Sequence, residues 1–184
     1  MKKIFAIAFV AMMAMTANAQ VYVGGNLGFA SESYDGDSET VWSIMPEIGY
    51  NLNEDWAVGV VVGYGEGKDK TKVEGRTFTD KVKTFTVSPY VRYTAVKLDK
   101  VNVFVDGGFG YQNIKWGEVK DNIWQFGLKP GVAINLNDKL SFVAHVGFLG
   151  YQNSKDDYEG AKAVNNFGVN IDGSNLSFGV YYNF

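Results

Sequence analysis

Five ionisable side chains stand out by parity. Glu47, Arg92, Asp106, Lys129 and His145 each share one side of an alternating segment with that segment's glycines and small polar residues. Each also lies about five to seven residues from a short turn, so the five sit at similar depth. Arg92, Asp106 and Lys129 fall on consecutive segments, where opposite charges attract their cross-strand neighbours. Glu47 and Lys129 fall on segments that would face each other across a ring of eight. Two carboxylates and two cations balance, and the spacing predicts an ion-pair network of all four that plugs an interior. Only good geometry offsets the desolvation of such a network.

Other chemistries find less support. His145 is the single histidine, and a catalytic triad needs a nucleophile beside it. Ser141 shares its face but lies roughly 13 Å away along a strand, so His145 is read as a satisfied interior residue. Asp35, Asp37 and Glu39 supply carboxylates to one polar stretch without the full spacing of a calcium loop, and Asp156, Asp157 and Glu159 do the same in another. Both read as solvated acidic surface, as does the mixed-charge run Lys68–Lys72 through Arg76. The run Gly63–Lys68 lacks the spacing and the following helix of a phosphate loop. Asn175-Leu176-Ser177 matches a glycosylation sequon, but its place on an alternating strand makes the match a chance one. No enzyme activity, cofactor or metal is expected.

The elements that must hold these residues are strands. Eight segments alternate with a period of two: about 20–30, 41–52, 56–65, 83–96, 101–112, 123–136, 140–151 and 176–184. In the seventh, Leu140, Phe142, Ala144, Val146 and Phe148 are placed on the apolar face. Hairpin-sized connections at 53–55, 97–100 and 137–139 alternate with longer polar ones at about 31–40, 66–82, 113–122 and 152–173. The three prolines, Pro46, Pro89 and Pro130, recur on the apolar face before a tight turn, where a bulge would accommodate them. Phe167, Val169 and Ile171 are odd-numbered while Leu176 onward is even, which leaves 166–175 as either a bulge in the last strand or a small extra hairpin. Ahead of the strands, Lys2, Lys3, the apolar run Ile4–Met15 and Ala17-Asn18-Ala19 form a secretory signal, predicting cleavage before Gln20.

Side-chain volume decides which face is outside. The interior of an eight-stranded barrel is narrow and its exterior roomy. The apolar face carries Trp, Tyr, Phe, Val and Ile, and the opposite face carries glycines with Ser, Thr, Asn and Gln. The bulky set therefore points outward, where only lipid can solvate it. Aromatics near the segment ends, such as Trp56, Tyr64 and Trp124, are placed as interfacial girdles. Closure of the sheet satisfies every backbone group without water. The fold predicted is all-β: an eight-stranded antiparallel up-and-down transmembrane β-barrel over 20–184, after a signal over 1–19.

With these segments in hand, the sequence resembles the small outer-membrane barrels of the OmpA membrane domain and OmpX type, among the porin-family β-barrel proteins. The likeness covers nearly all of 20–184 and includes the terminal Phe184 with Tyr182, Val180 and Phe178. It implies that these four side chains are the signal read by the barrel-assembly machinery. It also implies that the short turns face the periplasm and the long connections face outward. The interior charges are similar to the OmpA cluster, whose rearrangement is thought to gate a narrow conduit. The network is thus either a static plug or a gate. The resulting expectation is a monomeric, non-enzymatic protein of the cell outer membrane, in contact with its lipid, that stabilises the envelope or binds a surface ligand through its long loops. A narrow channel for ions or small solutes is the alternative. With Lys2 and Lys3 removed, 15 basic residues stand against 20 acidic ones, which does not favour a nucleic-acid partner.

Overall fold

The computed structural model describes residues 20–34, 37–73, 76–117, 119–156, 163–170 and 176–184. The signal segment 1–19 and the carboxylates of Asp35, Asp37 and Glu39 lie outside what is described, as do those of Asp156, Asp157 and Glu159. Among the described residues every regular element is a strand: β1 (Val21–Tyr34), β2 (Asp37–Asn51), β3 (Trp56–Val73), β4 (Arg76–Lys97), β5 (Val101–Trp116), β6 (Val119–Asn135), β7 (Leu140–Val146), β8 (Phe148–Asp156), β9 (Val164–Asn170) and β10 (Leu176–Asn183). They form a closed antiparallel barrel of eight staves. β7 and β8 make the seventh stave in succession, both pairing β6, and β9 and β10 make the eighth. Closure comes from β1 against β10, Tyr22 to Asn26 facing Asn183 to Gly179.

The bulky face is outside, as volume required. Trp42, Trp56, Tyr64, Phe85, Tyr93, Trp124 and Phe178 are all exposed on the outer wall. Aromatic contacts gather at two levels. Trp56 packs on Tyr93 at 4.8 Å near the short turns, and Trp42 on Tyr64 and Tyr111 on Trp124 at 6.0 and 4.4 Å near the other end. Trp56 and Tyr64 lie eight residues apart on β3, roughly 27 Å along a strand. At a tilt of about 40° this is roughly 20 Å across the membrane, close to the apolar band of such barrels.

Three sequence readings need correction. The long connections are mostly not loops: the ladders run on to Tyr34 opposite Asp37, Val73 opposite Arg76, Trp116 opposite Val119 and Ser154 opposite Val164. Beyond the bilayer the same ladder continues with polar side chains, so apolar alternation ends before the strand does. The β3–β4 ribbon reaches furthest, since β5 begins to pair β4 only at Val82.

The second correction concerns the seventh stave. Gly147 has φ +77° and interrupts it between β7 and β8. Against β6 the register changes by one residue there, from Gly131–His145 to Leu128–Leu149. That is a bulge with glycine in the left-handed region, and it inverts the faces beyond it. Phe148 therefore points into the barrel and Leu149 and Tyr151 point out. The eighth stave follows, with Phe167 and Val169 paired to Tyr151 and Leu149 and Phe178 paired to Ala144. β9 thus continues β10 along the neighbouring stave instead of folding into a separate hairpin; the residues joining them, 171–175, lie outside the description.

The third concerns the prolines. The register is the same on both sides of Pro46 and Pro89, and the ladder merely lapses there on one side, so no bulge accompanies them. Pro130 does lie across from the Gly147 bulge. Finally, β1 from Leu27 onward has only β2 as a ladder partner among the described residues, and β9 only β8. Leu27 and Phe167 are each 80% exposed.

Candidate functional site: a charged plug between two vestibules

The interior is not lined by small residues alone. Tyr22, Tyr90, Phe104 and Tyr181 point inward with Ala57 and Val143 and form the buried core at the waist. Each ring occupies space left by a glycine on the next stave. A Cβ on Gly24 would lie 2.1 Å from the Tyr181 ring, on Gly49 2.1 Å from Tyr22, on Gly59 2.4 Å from the Tyr90 hydroxyl and on Gly131 2.4 Å from Phe104. These four glycines are therefore the counterparts of inward rings, and the bore is filled at the waist.

Arg92 stands at the centre of this packing. Its Nε donates to Asp106 Oδ1 at 2.6 Å and its Nη2 to Asp106 Oδ2 at 2.8 Å, a bidentate pair between directly opposed residues of β4 and β5. The guanidinium lies 3.9 Å from the Phe104 ring centroid, with the rings of Tyr22, Tyr90 and Tyr181 between 5.2 and 5.7 Å. Nη2 also donates to Tyr181 Oη at 3.2 Å and lies 3.6 Å from Glu47 Oε1. Glu47 is held by two phenols, since Tyr181 donates to Oε2 at 2.7 Å and Tyr90 donates to Oε1. Tyr22 in turn donates to the Tyr90 hydroxyl. His145 Nε2 lies 2.9 Å from Asp106 Oδ2 and, with a carboxylate as acceptor, carries the proton. Glu47, Arg92 and Asp106 are all buried and each has several partners, which is the condition for a buried ion pair to be tolerated.

The structure brings Glu47, Arg92, Asp106 and His145 together and leaves Lys129 apart. Lys129 faces Asp106 directly in the register, yet both Asp106 oxygens are occupied by Arg92 and His145. The expected reach from Lys129 to Glu47 across the lumen is not made. Tyrosines take that place, and the Lys129 ammonium lies 5.9 Å from the Phe148 ring centroid. The parity argument missed Tyr22, Tyr90, Tyr181 and Phe104. Their signal was present: all four share the inward parity, and glycines stand opposite or beside them. Ser141 is buried elsewhere, donating to Asn135 at 2.9 Å. Ser177 is the cross-strand neighbour of His145, and no hydrogen bond joins the two.

The plug divides the lumen. On the short-turn side is a cavity of about 740 Å³ with Asn51, Thr94, Asn102, Asn135 and Asn183 in its wall and Arg92, Phe104 and Tyr181 at its end. On the other side a second cavity of about 440 Å³ is bounded by Glu47, Tyr90, Asp106 and His145, and no residue lines both.

The whole-chain pattern also matches a family model, the outer membrane protein beta-barrel domain, over residues 4–184. The chain belongs to that family. No curated protein matches it. Among solved structures it is similar to the outer membrane protein OprG from Pseudomonas aeruginosa, at 13% identity over 90% of this chain and 93% of that one, with a TM-score of 0.51. It is also similar to Neisserial surface protein A, at 17% identity over 89% and 97%, with a TM-score of 0.50. At these identities the likeness is one of fold. Phe178, Val180 and Tyr182 lie on β10, and Phe184 follows directly after it. Phe178, Val180 and Tyr182 are exposed on the outer wall. The Phe184 amide donates to Val21 O at 3.1 Å, which ties the chain end to β1.

Proposed function

We propose that the protein is a non-enzymatic, monomeric scaffold of the cell outer membrane that presents surface-binding β-ribbons and does not conduct at rest. One observation carries this reading: the waist is filled by Arg92, its two carboxylates and four aromatic rings, with separate cavities on either side. The ribbons support the binding half of the reading. The β3–β4 ribbon extends beyond its β5 neighbour, and β4 between Arg76 and Asp80 has only β3 as a ladder partner among the described residues. Open edges offer main-chain donors and acceptors to an added strand. The four terminal side chains, Phe178 to Phe184, would be read by the assembly machinery during insertion.

The test has two arms. Purified protein in planar bilayers should give no open-channel conductance, and cells presenting it should bind a surface ligand less well once 68–81 is shortened to a tight turn. Steady nanosiemens-scale conductance from the unaltered protein would refute the scaffold reading. A gated conduit is the second reading, favoured by Arg92 having one carboxylate at 2.6 Å and another at 3.6 Å. Voltage-dependent openings abolished by Glu47→Gln would establish it.

A further inference from the structure

Of the five inward charges read from the sequence, Lys129 is the one that the plug does not use. Among the described residues no carboxylate lies within ion-pair distance of its ammonium and no acceptor within hydrogen-bond distance. Glu47 and Asp106 already have partners on every oxygen. The side chain lines the 440 Å³ cavity, whose wall Glu47 and Asp106 also share. A cation held in a confined space needs an anion or water as its partner. By volume the cavity takes roughly fifteen waters, enough for a small organic molecule.

The wall around Lys129 has two characters. Gln125, Gln152, Thr86 and Ser177 supply uncharged donors, whereas Phe148, and Met45 and Val61 on other staves, supply apolar surface. The Gly147 bulge is what turns Phe148 inward and sets its ring beside the ammonium. A donor set with one positive charge, adjoining an apolar surface, suits a carboxylate on a short hydrocarbon stem. A doubly charged anion is disfavoured, because Glu47 and Asp106 border the same cavity.

We propose that this vestibule is a binding site for a short-chain monocarboxylate, with Lys129 as its counter-ion and the Phe148 side of the wall receiving the stem. The site does not depend on the plug opening.

Butyrate is the probe, titrated into the full-length barrel folded in detergent at constant ionic strength and followed by calorimetry. Butyramide serves as the uncharged control and inorganic phosphate as the competing anion. Saturable butyrate binding is expected, with at least tenfold weaker binding of butyramide and phosphate. Lys129→Gln should weaken butyrate at least tenfold, and Lys100→Gln in the other cavity should leave it unchanged. Unheated gel mobility reports whether each variant is folded. If Lys129→Gln does not fold, the second readout is the wild-type protein with ¹³C-dimethylated lysines, in which butyrate and not butyramide should shift a single buried lysine resonance. Absence of saturable binding, binding that survives Lys129→Gln, or phosphate binding as tightly as butyrate would each overturn the proposal.

Discussion

Removing Arg92 and Asp106 separately and together measures the plug directly. Arg92→Ala leaves Asp106 and Glu47 buried without their cation, and Asp106→Ala leaves Arg92 with Tyr181 and the more distant Glu47. Breaking a buried pair on either side costs about 3–5 kcal/mol. The contact itself is two charge-assisted hydrogen bonds, at 2.6 and 2.8 Å, worth roughly 1.5–3 kcal/mol each. The double variant should therefore be less damaged than the sum of the singles, by about 3 kcal/mol or more. Losses that both arms share, such as the Arg92 contact with Phe104, cancel in such a cycle. Reversible urea unfolding in lipid vesicles, read from the tryptophan fluorescence, gives the four free energies. The exposed Lys97–Asp55 pair, at 2.5 Å near the short turns, is the control and should couple by under about 1 kcal/mol. A coupling for Arg92 and Asp106 no larger than this control would refute the claim that the pair is organised at the waist.

Three further outcomes follow from packing and placement. Gly49→Ala would set a methyl 2.1 Å from the Tyr22 ring, which is stacked on Tyr181 at 5.3 Å and tied to Tyr90. It should cost about 1–3 kcal/mol in the same unfolding assay, and adding Tyr22→Ala should relieve most of the clash. Gly147→Ala places a side chain at φ +77°, with an expected loss of roughly 1–2 kcal/mol, whereas Gly168→Ala, which meets nothing within 4 Å, should be near neutral. Val60→Arg on the outer wall between the two aromatic levels should cost about 2–4 kcal/mol in vesicles, and Thr94→Arg in the short-turn cavity much less.

How much of this was legible without coordinates depends on the scale of the question. Trp42, Trp56, Tyr64 and Tyr93 announce the outer wall, because alternation and bulk together leave lipid as their only solvent. Arg92 and Asp106 were also legible as a pair, since parity and equal depth on adjacent staves suffice to oppose them. What alternation could not convey was volume inside a closed ring. Glycines were read as a small lining, when Gly24, Gly49, Gly59 and Gly131 were each the seat of a ring from the next stave. Tyr90 and Tyr181 then took the partner that charge counting had assigned to Lys129. The ribbon lengths were hidden for a different reason. A strand leaving the bilayer keeps its hydrogen bonds but loses its hydrophobic contrast, so Lys68 and Thr79 give no sign that they still belong to a ladder.

Gly147 makes the seventh stave a reversible garment. On one side of that residue the even-numbered positions are the outer fabric; on the other they are the lining. Drawing it into the ladder as an ordinary residue would turn the stretch from Phe148 to Lys155 inside out, moving Leu149 and Tyr151 off the hydrocarbon and putting Gln152 and Ser154 onto it, whereas deleting it would leave the faces as they are. The neighbouring stave changes parity as well, with odd-numbered positions on the outer face in β9 and even-numbered ones in β10. With Gly147 drawn into the seventh ladder and the eighth left as it is, a stripe of amides and hydroxyls would face oil.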